Sequence, residues 1–310
     1  MNIEDRKASF YLKHSKYYVF TATTQARSVL PRAEFLQYAR ISSVMSRNKR
    51  ADIGIFGGSG LYSFLSNVKE VTVETPYGSP SDNVFIGEHA GKTIAFLPRH
   101  DRNHRIPPHK INYRANVWAL KELGCSSVIC PCAAGSLQPE YKPGDFAIAD
   151  QWVDRTKGRE DTFFDGPIAT HVSPAEPYTA ELRKLAVEAA REHGIPVHDG
   201  GTVVVINGPR FSSKAESEWF HKMGWEIINM TQYPEAHLVK EAGMACVNIS
   251  LITDYDSGVH TGTAPVSHSE VIKVFGQNIE NLRKLLFTLI EKIPADEFYS
   301  ADKVLETSRF

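Results

Sequence analysis

Residues 245–256 read ACVNISLITDYD. Ala245–Ile252 is a largely apolar run of the kind that forms a strand buried in a parallel sheet. Thr253-Asp254-Tyr255-Asp256 closes it with two carboxylates two residues apart. Period-two geometry aims both to one side of the sheet, at its edge. Ligands of open parallel sheets bind just beyond the carboxyl ends of the strands. A carboxylate pair there suits a ligand that donates hydrogen bonds and must be protonated as it leaves. An adenine edge, with its N6 donor and N7 acceptor, meets that demand. Taken alone, the same residues read equally well as two solvated loop aspartates, so the rest of the chain must decide.

Around this strand the pattern alternates between strand and helix. Strands are expected at Ile53–Phe56, Val68–Glu74, Val84–Glu88, Thr93–Leu97, Ser127–Cys132, Phe146–Val153, Thr202–Ile206 and Glu226–Asn229. Helices are expected at Asn112–Leu123, Ala180–His193, Ser213–Met223, Glu235–Gly243 and Glu270–Lys292. The last is long and amphipathic, with Leu282, Leu285, Leu286, Leu289 and Ile290 on one stripe. The fold class is therefore α/β: a single domain over 51–295 with a central mixed sheet flanked by helices. Residues 1–50 carry ten Lys/Arg against three acids and hold no sustained periodicity, which reads as a basic, loosely ordered extension. Residues 296–310 read as a polar tail.

The 310-residue chain is 42% hydrophobic and 23% charged, an ordinary globular composition. A net charge of -1 gives no global field for nucleic acid or an anionic membrane, and no apolar run approaches a bilayer span. Cys125, Cys130, Cys132 and Cys246 fit neither a disulfide framework nor a zinc knuckle, and read as small core residues in a reducing, cytoplasmic setting.

Several strand ends carry groups suited to an anion. Gly57-Gly58-Ser59-Gly60 offers close backbone approach and a hydroxyl, yet matches neither a dinucleotide fingerprint nor a Walker loop nor a nucleophile elbow. Pro98-Arg99-His100 offers a planar fork and a tunable imidazole. His100, His104 and His109 invite a metal, but no His-Glu-x-x-His helix is present and Pro107-Pro108 breaks helical spacing, so no metal is expected. Cys132-Ala133-Ala134-Gly135-Ser136 ends a buried strand with small residues. Asn229-Met230-Thr231 ends another, with a hydroxyl and an apolar face for a sugar. Each segment alone is readable as a turn or as core. Together they place Ser59, Arg99, His100, Thr231, Asp254 and Asp256 on the ends of different strands of one sheet, which is how a pocket is assembled from many segments.

In this order, these segments resemble the trimeric purine nucleoside phosphorylase family and, within it, the 5′-methylthioadenosine phosphorylases. The run RIPPHKINYRAN at 105–116, Ala134-Gly135-Ser136-Leu137, Gly208-Pro209-Arg210-Phe211 and Ala215-Glu216-Ser217 carry the resemblance, with the pieces already quoted, over residues 52–292. It implies a phosphorylase in which phosphate attacks C1′ of a nucleoside and releases the base. By resemblance, Ser59, Arg99, His100, Cys132, Ala133 and Thr231 hold phosphate. Met230 lies against the ribose, and Phe211 and Ser212 contact the base. Asp254 is the acid that protonates the leaving base, with Asp256 supporting it. His171 reaches a neighbouring subunit's pocket near the 5′ end, in a homotrimer. His268 and Val271 lie at the 5′ substituent. Inorganic phosphate is a co-substrate and no cofactor is implied.

Two positions depart from the methylthioadenosine pattern. Cys132 stands where Thr is usual. His268 stands where an apolar residue usually packs the methylthio group, so adenosine is a further expected substrate. Three other readings stay open: an inosine- or guanosine-preferring purine nucleoside phosphorylase, a non-catalytic nucleoside-binding protein, and a hydrolase.

Overall fold

The computed structural model describes residues 51–57, 65–166, 169–258, 262–294 and Ser308. The glycine-rich turn with Ser59, the extension over 1–50 and most of the tail lie outside the described residues.

The strands are β1 (Ile53–Gly57), β2 (Ser66–Val71), β3 (Val84–His89), β4 (Lys92–Pro98), β5 (Ser127–Ser136), β6 (Phe146–Ile148), β7 (Gln151–Arg155), β8 (Val197–Asp199), β9 (Thr202–Ile206), β10 (Ile227–Asn229) and β11 (Ala245–Asp254). Between them run α1 (Tyr113–Glu122), α2 (Ala180–Glu192), α3 (Lys214–Lys222), α4 (Gln232–Glu241) and the closing α5 (His268–Lys292). All the strands join one mixed sheet, as the sequence predicts.

The sheet forks at β5. Along one edge β5 pairs in parallel with β1 through Ile53↔Ser127, Gly54↔Val128 and Ile55↔Ile129. Further on, β10 approaches antiparallel through Ile227↔Ser136 and Ile228↔Gly135. Between these two pairings, the β5 edge at 130–134 faces the ends of β1 and β10. The other edge of β5 pairs along its length with β11, from Ala245↔Ser127 to Asp254↔Gly135.

Strand alternation sorts the core into two faces. Ala245, Val247, Ile249 and Leu251 of β11 join α2 and the stripe of α5 in one apolar cluster. Cys246 and Ile252 point the other way, toward α1 and α4. Asn248 and Ser250 share that second face and are fully buried. Polar groups inside a buried strand need partners, and theirs lie in the site described below. On α5, Leu282, Leu285, Leu286, Leu289 and Ile290 are all buried, and Ser267 caps the helix by accepting from the Glu270 N–H at 3.3 Å. Each such side chain contributes about 1.5–3 kcal/mol by burial.

Besides smaller boundary shifts, such as β2 spanning Ser66–Val71 instead of Val68–Glu74, four elements differ from the sequence expectation. Phe146–Val153 is two strands, because β6 pairs with β11 and β8 whereas β7 pairs with β9 at another edge. β8 is a three-residue strand with no periodicity to reveal it. β5 runs four residues beyond Cys132, since the small side chains of Ala133–Gly135 let β10 and β11 close on it. α4 starts at Gln232 instead of Glu235, with a non-helical Tyr233 inside its first turn. Within the expected tail, Ser308 is buried and its carbonyl accepts the His171 N–H at 2.9 Å. Among the described residues, no helix is long and apolar enough to cross a membrane.

Leu289 is fully buried whereas Ile272, on the same helix, is 58% exposed. Leu289→Ala is expected to lower the unfolding free energy by about 2–5 kcal/mol and Ile272→Ala by less than about 0.5 kcal/mol in urea titrations.

Candidate active site

The site builds outward from the open edge of β5. β4 ends at Pro98, and the next residue, Arg99, turns back toward β5 and donates through Nη1 to the Pro131 carbonyl at 3.2 Å. Its Nε and Nη2 donate to the two carboxylate oxygens of Glu235 at 2.6 and 2.7 Å. Arg99 is 3% exposed and Glu235 1%, so the pair is shielded from water. Burial opposes the charge on Arg99, but Glu235 outweighs it and keeps the guanidinium protonated. Of its five N–H donors, three are used in these bonds. Two remain beside the β5 edge.

His100 follows directly. Its Nδ1 lies 2.9 Å from the Ile106 carbonyl, which can only accept, so the proton sits on Nδ1. Burial, then the Arg99 charge, pushes the ring down to about 4. The neutral ring thus leaves Nε2 as an acceptor. His104 stacks on His100 with ring centroids 4.7 Å apart. Burial and the nearby His268 keep the His104 imidazole below its usual value. His268 is exposed at the first position of α5, near enough for its charge to act on His104.

β10 runs opposite to β5, so its end brings Asn229, Met230 and Thr231 alongside Cys132–Ala134. Asn229 Nδ2 donates to Cys132 Sγ at 3.3 Å, and Asn248 Nδ2 to the same sulfur at 3.4 Å. Ser250 Oγ lies 3.4 Å from that sulfur and donates to Asn248 Oδ1 at 2.7 Å. Cys132 is therefore not a plain core residue like the buried Cys125, Cys130 and Cys246. It is only partly buried, and sits in a polar net. Strand alternation puts the Ala133 N–H on the same edge as the Pro131 carbonyl that Arg99 holds. Thr231 is the N-cap of α4 but its hydroxyl makes no capping bond.

At the far end of β5, Gly135 lies opposite Asp254, and a Cβ there would stand 2.8 Å from Asp254 Oδ1. Only glycine lets the carboxyl lie this close. Asp254 accepts from Thr253 Oγ1 at 2.7 Å and from the Asp256 N–H at 2.8 Å. The expected period-two pairing of the aspartates does not hold. β11 bulges between Ile252 and Asp254, and Asp256 takes a left-handed φ of 48° in a turn. The turn still leaves both carboxyls buried. Burial pushes Asp254 up to about 6, against the Thr253 and Asp256 hydrogen bonds and with help from the charges of Asp256 and Glu270. Burial raises Asp256 as well, against the pull of the nearby Ser217 and Ser212 hydroxyls. Even so, Asp256 Oδ2 and Ser212 Oγ are buried without a well-formed hydrogen bond.

Met230 closes the side between these ends, its sulfur 2.7 Å from where a Gly208 Cβ would stand. Phe211, 38% exposed, lies at the rim. Val271 is half-buried on the first turn of α5. His171 is exposed on the loop before α2, and β5 does not gather it with the others. Sequence reasoning missed Glu235, Asn248 and Ser250, and gave Asn229 and Ser217 no role of their own although both lie in the quoted motifs. The alternate polar residues of β11 were a visible signal for Asn248 and Ser250. Glu235 looks like any helix-surface glutamate. No group of three or more His, Cys, Asp or Glu side chains arranged to hold a metal occurs among the described residues.

A pocket with a buried arginine at one end and raised carboxyls at the other is suited to joining an anion to a ligand that leaves as a base. The phosphorylase superfamily model matches residues 52–291 of the chain. The chain belongs to the phosphorylase superfamily, and the resemblance read from its motifs is borne out; it is a phosphorolytic pentosyltransferase. It is 52% identical over 254 residues to the S-methyl-5′-thioadenosine phosphorylase of Saccharolobus solfataricus, covering 81% of this chain and 93% of that one. It is 49% identical over 259 residues to the purine nucleoside phosphorylase of Streptomyces coelicolor, covering 81% and 92%. Among solved structures, it superposes on a methylthioadenosine phosphorylase from an antarctic soil metagenomic library with a TM-score of 0.79 at 39% identity, over 85% of this chain and 93% of that one. The Schistosoma mansoni methylthioadenosine phosphorylase in complex with tubercidin gives 0.78 at 35%, over 84% and 99%.

Glu235→Gln leaves the Arg99 charge buried without a counter-charge. It is expected to lower stability by about 3–5 kcal/mol in denaturant titrations. Asp254 acts on stability through pH. Its folded pKa lies above the ordinary 3.8, so the stability it contributes is full below 3.8 and lost as pH rises through about 6. Asp254→Asn cannot titrate, and its stability relative to the unsubstituted chain should climb across that window by up to about 3 kcal/mol.

Proposed function

We propose that the chain cleaves 5′-methylthioadenosine with inorganic phosphate, giving adenine and 5-methylthioribose 1-phosphate. The observation that carries this is the Asp254 carboxyl, held to about 6 by burial at one end of the β5 edge whose other end holds Arg99. A phosphate oxygen bonds to C1′, the C1′–N9 bond breaks, and its electron pair moves into the purine. Asp254 delivers its proton to N7 as that charge builds, and Asp256 helps keep Asp254 protonated. Arg99, His100, Thr231, Ser59, Cys132 and the Ala133 N–H hold the phosphate. The acceptor Nε2 of His100 takes a hydrogen bond from a protonated phosphate oxygen. Met230 packs on the ribose, and Phe211 and Ser212 on the base, with Asp256 Oδ2 and Ser212 Oγ left to the purine edge. Fixing both reactants in this way supplies at most roughly 7–11 kcal/mol of the barrier reduction.

The base preference follows from the same carboxyl. Protonated Asp254 donates from one oxygen to N7 and keeps the other to accept from an N6 amino group, an oxygen that would repel O6, so 6-aminopurines are favoured. The names of the Saccharolobus and metagenomic proteins support the methylthio substrate, and adenine fits its release in purine and methionine salvage. A homotrimer completes the site in this reading, with His171 entering a neighbour's pocket, in the cytoplasm. One observation favours a second substrate: His268 stands exposed at the first turn of α5, within electrostatic reach of His104, and an imidazole there could bond a 5′-hydroxyl. Adenosine is then accepted too, and a purine nucleoside phosphorylase stands among the relatives.

Base release from methylthioadenosine, adenosine and inosine, with and without phosphate, tests this. Phosphate-dependent release ranked in that order is expected. Faster release from inosine, or release that ignores phosphate, contradicts it. Because the acid form of Asp254 is required, kcat/KM should fall tenfold per pH unit above about 6. Asp254→Ala should cost about a hundredfold or more.

A further inference from the structure

Arg159 lies in a charged loop, outside every motif quoted above, and its guanidinium reaches three separate segments of the pocket. Nη2 donates to the Asn207 carbonyl and to the Met230 carbonyl, each at 2.9 Å. Nη1 donates to the Tyr233 carbonyl, and to Tyr113 Oη at 3.1 Å. The Tyr113 hydroxyl sits 3.0 Å from the Pro108 carbonyl and 3.4 Å from that of Met230. The guanidinium also lies 5.0 Å from the Tyr113 ring centroid. Its own loop is pinned to the same places: Lys157 N donates to Asn207 Oδ1 at 3.3 Å, and Tyr233 Oη to Asp161 at 2.7 Å.

The three carbonyls share a feature. Asn207 follows the end of β9, Met230 follows the end of β10, and Tyr233 is the non-helical residue in the first turn of α4. Carbonyls at such points lack a ladder partner and must find another donor. Each one also leads into a proposed ligand contact. Asn207 precedes the loop with Phe211 and Ser212, and Met230 is the sugar contact itself. Tyr233 precedes Glu235, the partner of Arg99.

We propose that Arg159 is the positioning residue of the nucleoside half of the pocket. One planar cation sets the distance between the sugar face and the base loop by holding both backbones at once. The inference rests on the proposed function for the identity of the ligand. It predicts which ligand suffers when the guanidinium is removed. Arg99 and His100 follow β4 and Ala133 sits on β5, which Arg159 does not touch, whereas Thr231 lies between two of the held carbonyls and Glu235 just beyond them, so phosphate binding should suffer less than nucleoside binding. Lysine cannot take its place, because one ammonium cannot span three carbonyls in a plane.

The test compares the unsubstituted protein with Arg159→Ala and Arg159→Lys. Thermal melts and steady-state kinetics are run with each substrate varied in turn. For Arg159→Ala, kcat/KM for the nucleoside should fall by about a hundredfold, as expected for a misplaced reactant. The nucleoside KM should rise several-fold more than the phosphate KM. Free guanidinium at millimolar concentration should restore part of the rate to Arg159→Ala, but neither urea nor methylammonium should do so. Arg159→Lys should keep its melting transition and still show the raised nucleoside KM. An unchanged nucleoside KM in either variant, or a parallel rise of both KM values, overturns the proposal. If Arg159→Ala does not fold, Arg159→Lys decides by the same criterion. If the unsubstituted protein releases no base, the functional reading fails, and titration with adenine still judges Arg159: equal affinity with and without its guanidinium overturns the inference.

Discussion

Arg99 holds a full positive charge where water barely reaches, and Glu235 is what permits it. An unpaired guanidinium in such a place would cost several kcal/mol and distort whatever held it. Paired in both directions with the Glu235 carboxylate and tied to the Pro131 carbonyl, it has one orientation. The pair thus fixes more than a charge. It joins the end of β4 to the start of α4 across the open edge of β5, and so sets the distance between two segments that contribute to the pocket. Pro131 belongs to the same logic. It has no N–H to leave unpaired on that edge, and its carbonyl is the one Arg99 uses.

The fork in the sheet explains why the site lies here. β1 leaves the β5 edge at Ile129 and β10 joins it only at Gly135, so the strand between them is free on one side. Such an edge is a liability unless covered. In this protein Arg99, His100, Met230 and Thr231 line it. Three of the five non-glycine residues with a left-handed φ among the described residues lie near it, the other two, Asn67 and Ala90, being in β2 and the β3–β4 turn. Asp101, His104 and Asp256, none of them glycine, all take left-handed φ values of 67°, 59° and 48°. Asp101 is buried and its carboxylate closes its own loop, accepting from the Asn103 N–H at 2.5 Å and from Arg105 Nε at 2.5 Å. Residues held in such conformations persist where the surroundings over-determine them, as at ligand clamps. The loop that presents His100 is of that kind.

Much of this was legible in the sequence, for identifiable reasons. The apolar runs of β1, β4, β5 and β11 and the stripe of α5 are strong periodic signals, and they fix the α/β layering. The strand-end groups Arg99, His100, Thr231 and Asp254 stand out because each follows such a run. What stayed hidden depends on long-range pairing. β8 is too short to show a period. The break between β6 and β7 reflects two different partners, a fact no local pattern carries. Glu235 became legible only once α4 was seen to pack its first turn against Arg99. Arg159 is one of several charges in a loop, and its value lies in three carbonyls that the chain brings together from residues 207, 230 and 233. Asp254 and Asp256 were paired in the sequence for the wrong local reason, since a turn and not strand alternation brings both beside Gly135.

The open edge of β5, with Arg99 oriented by Glu235, is the proposed site for inorganic phosphate. Calorimetric titration of phosphate into the unsubstituted protein and into Arg99→Lys tests it most directly. Lysine keeps the charge against Glu235 but loses the planar fork and the two N–H groups that face the edge. Saturable phosphate binding is expected, weakening by about tenfold or more in Arg99→Lys with the melting transition retained. Equal affinity in the two proteins, or no binding in either, would contradict it.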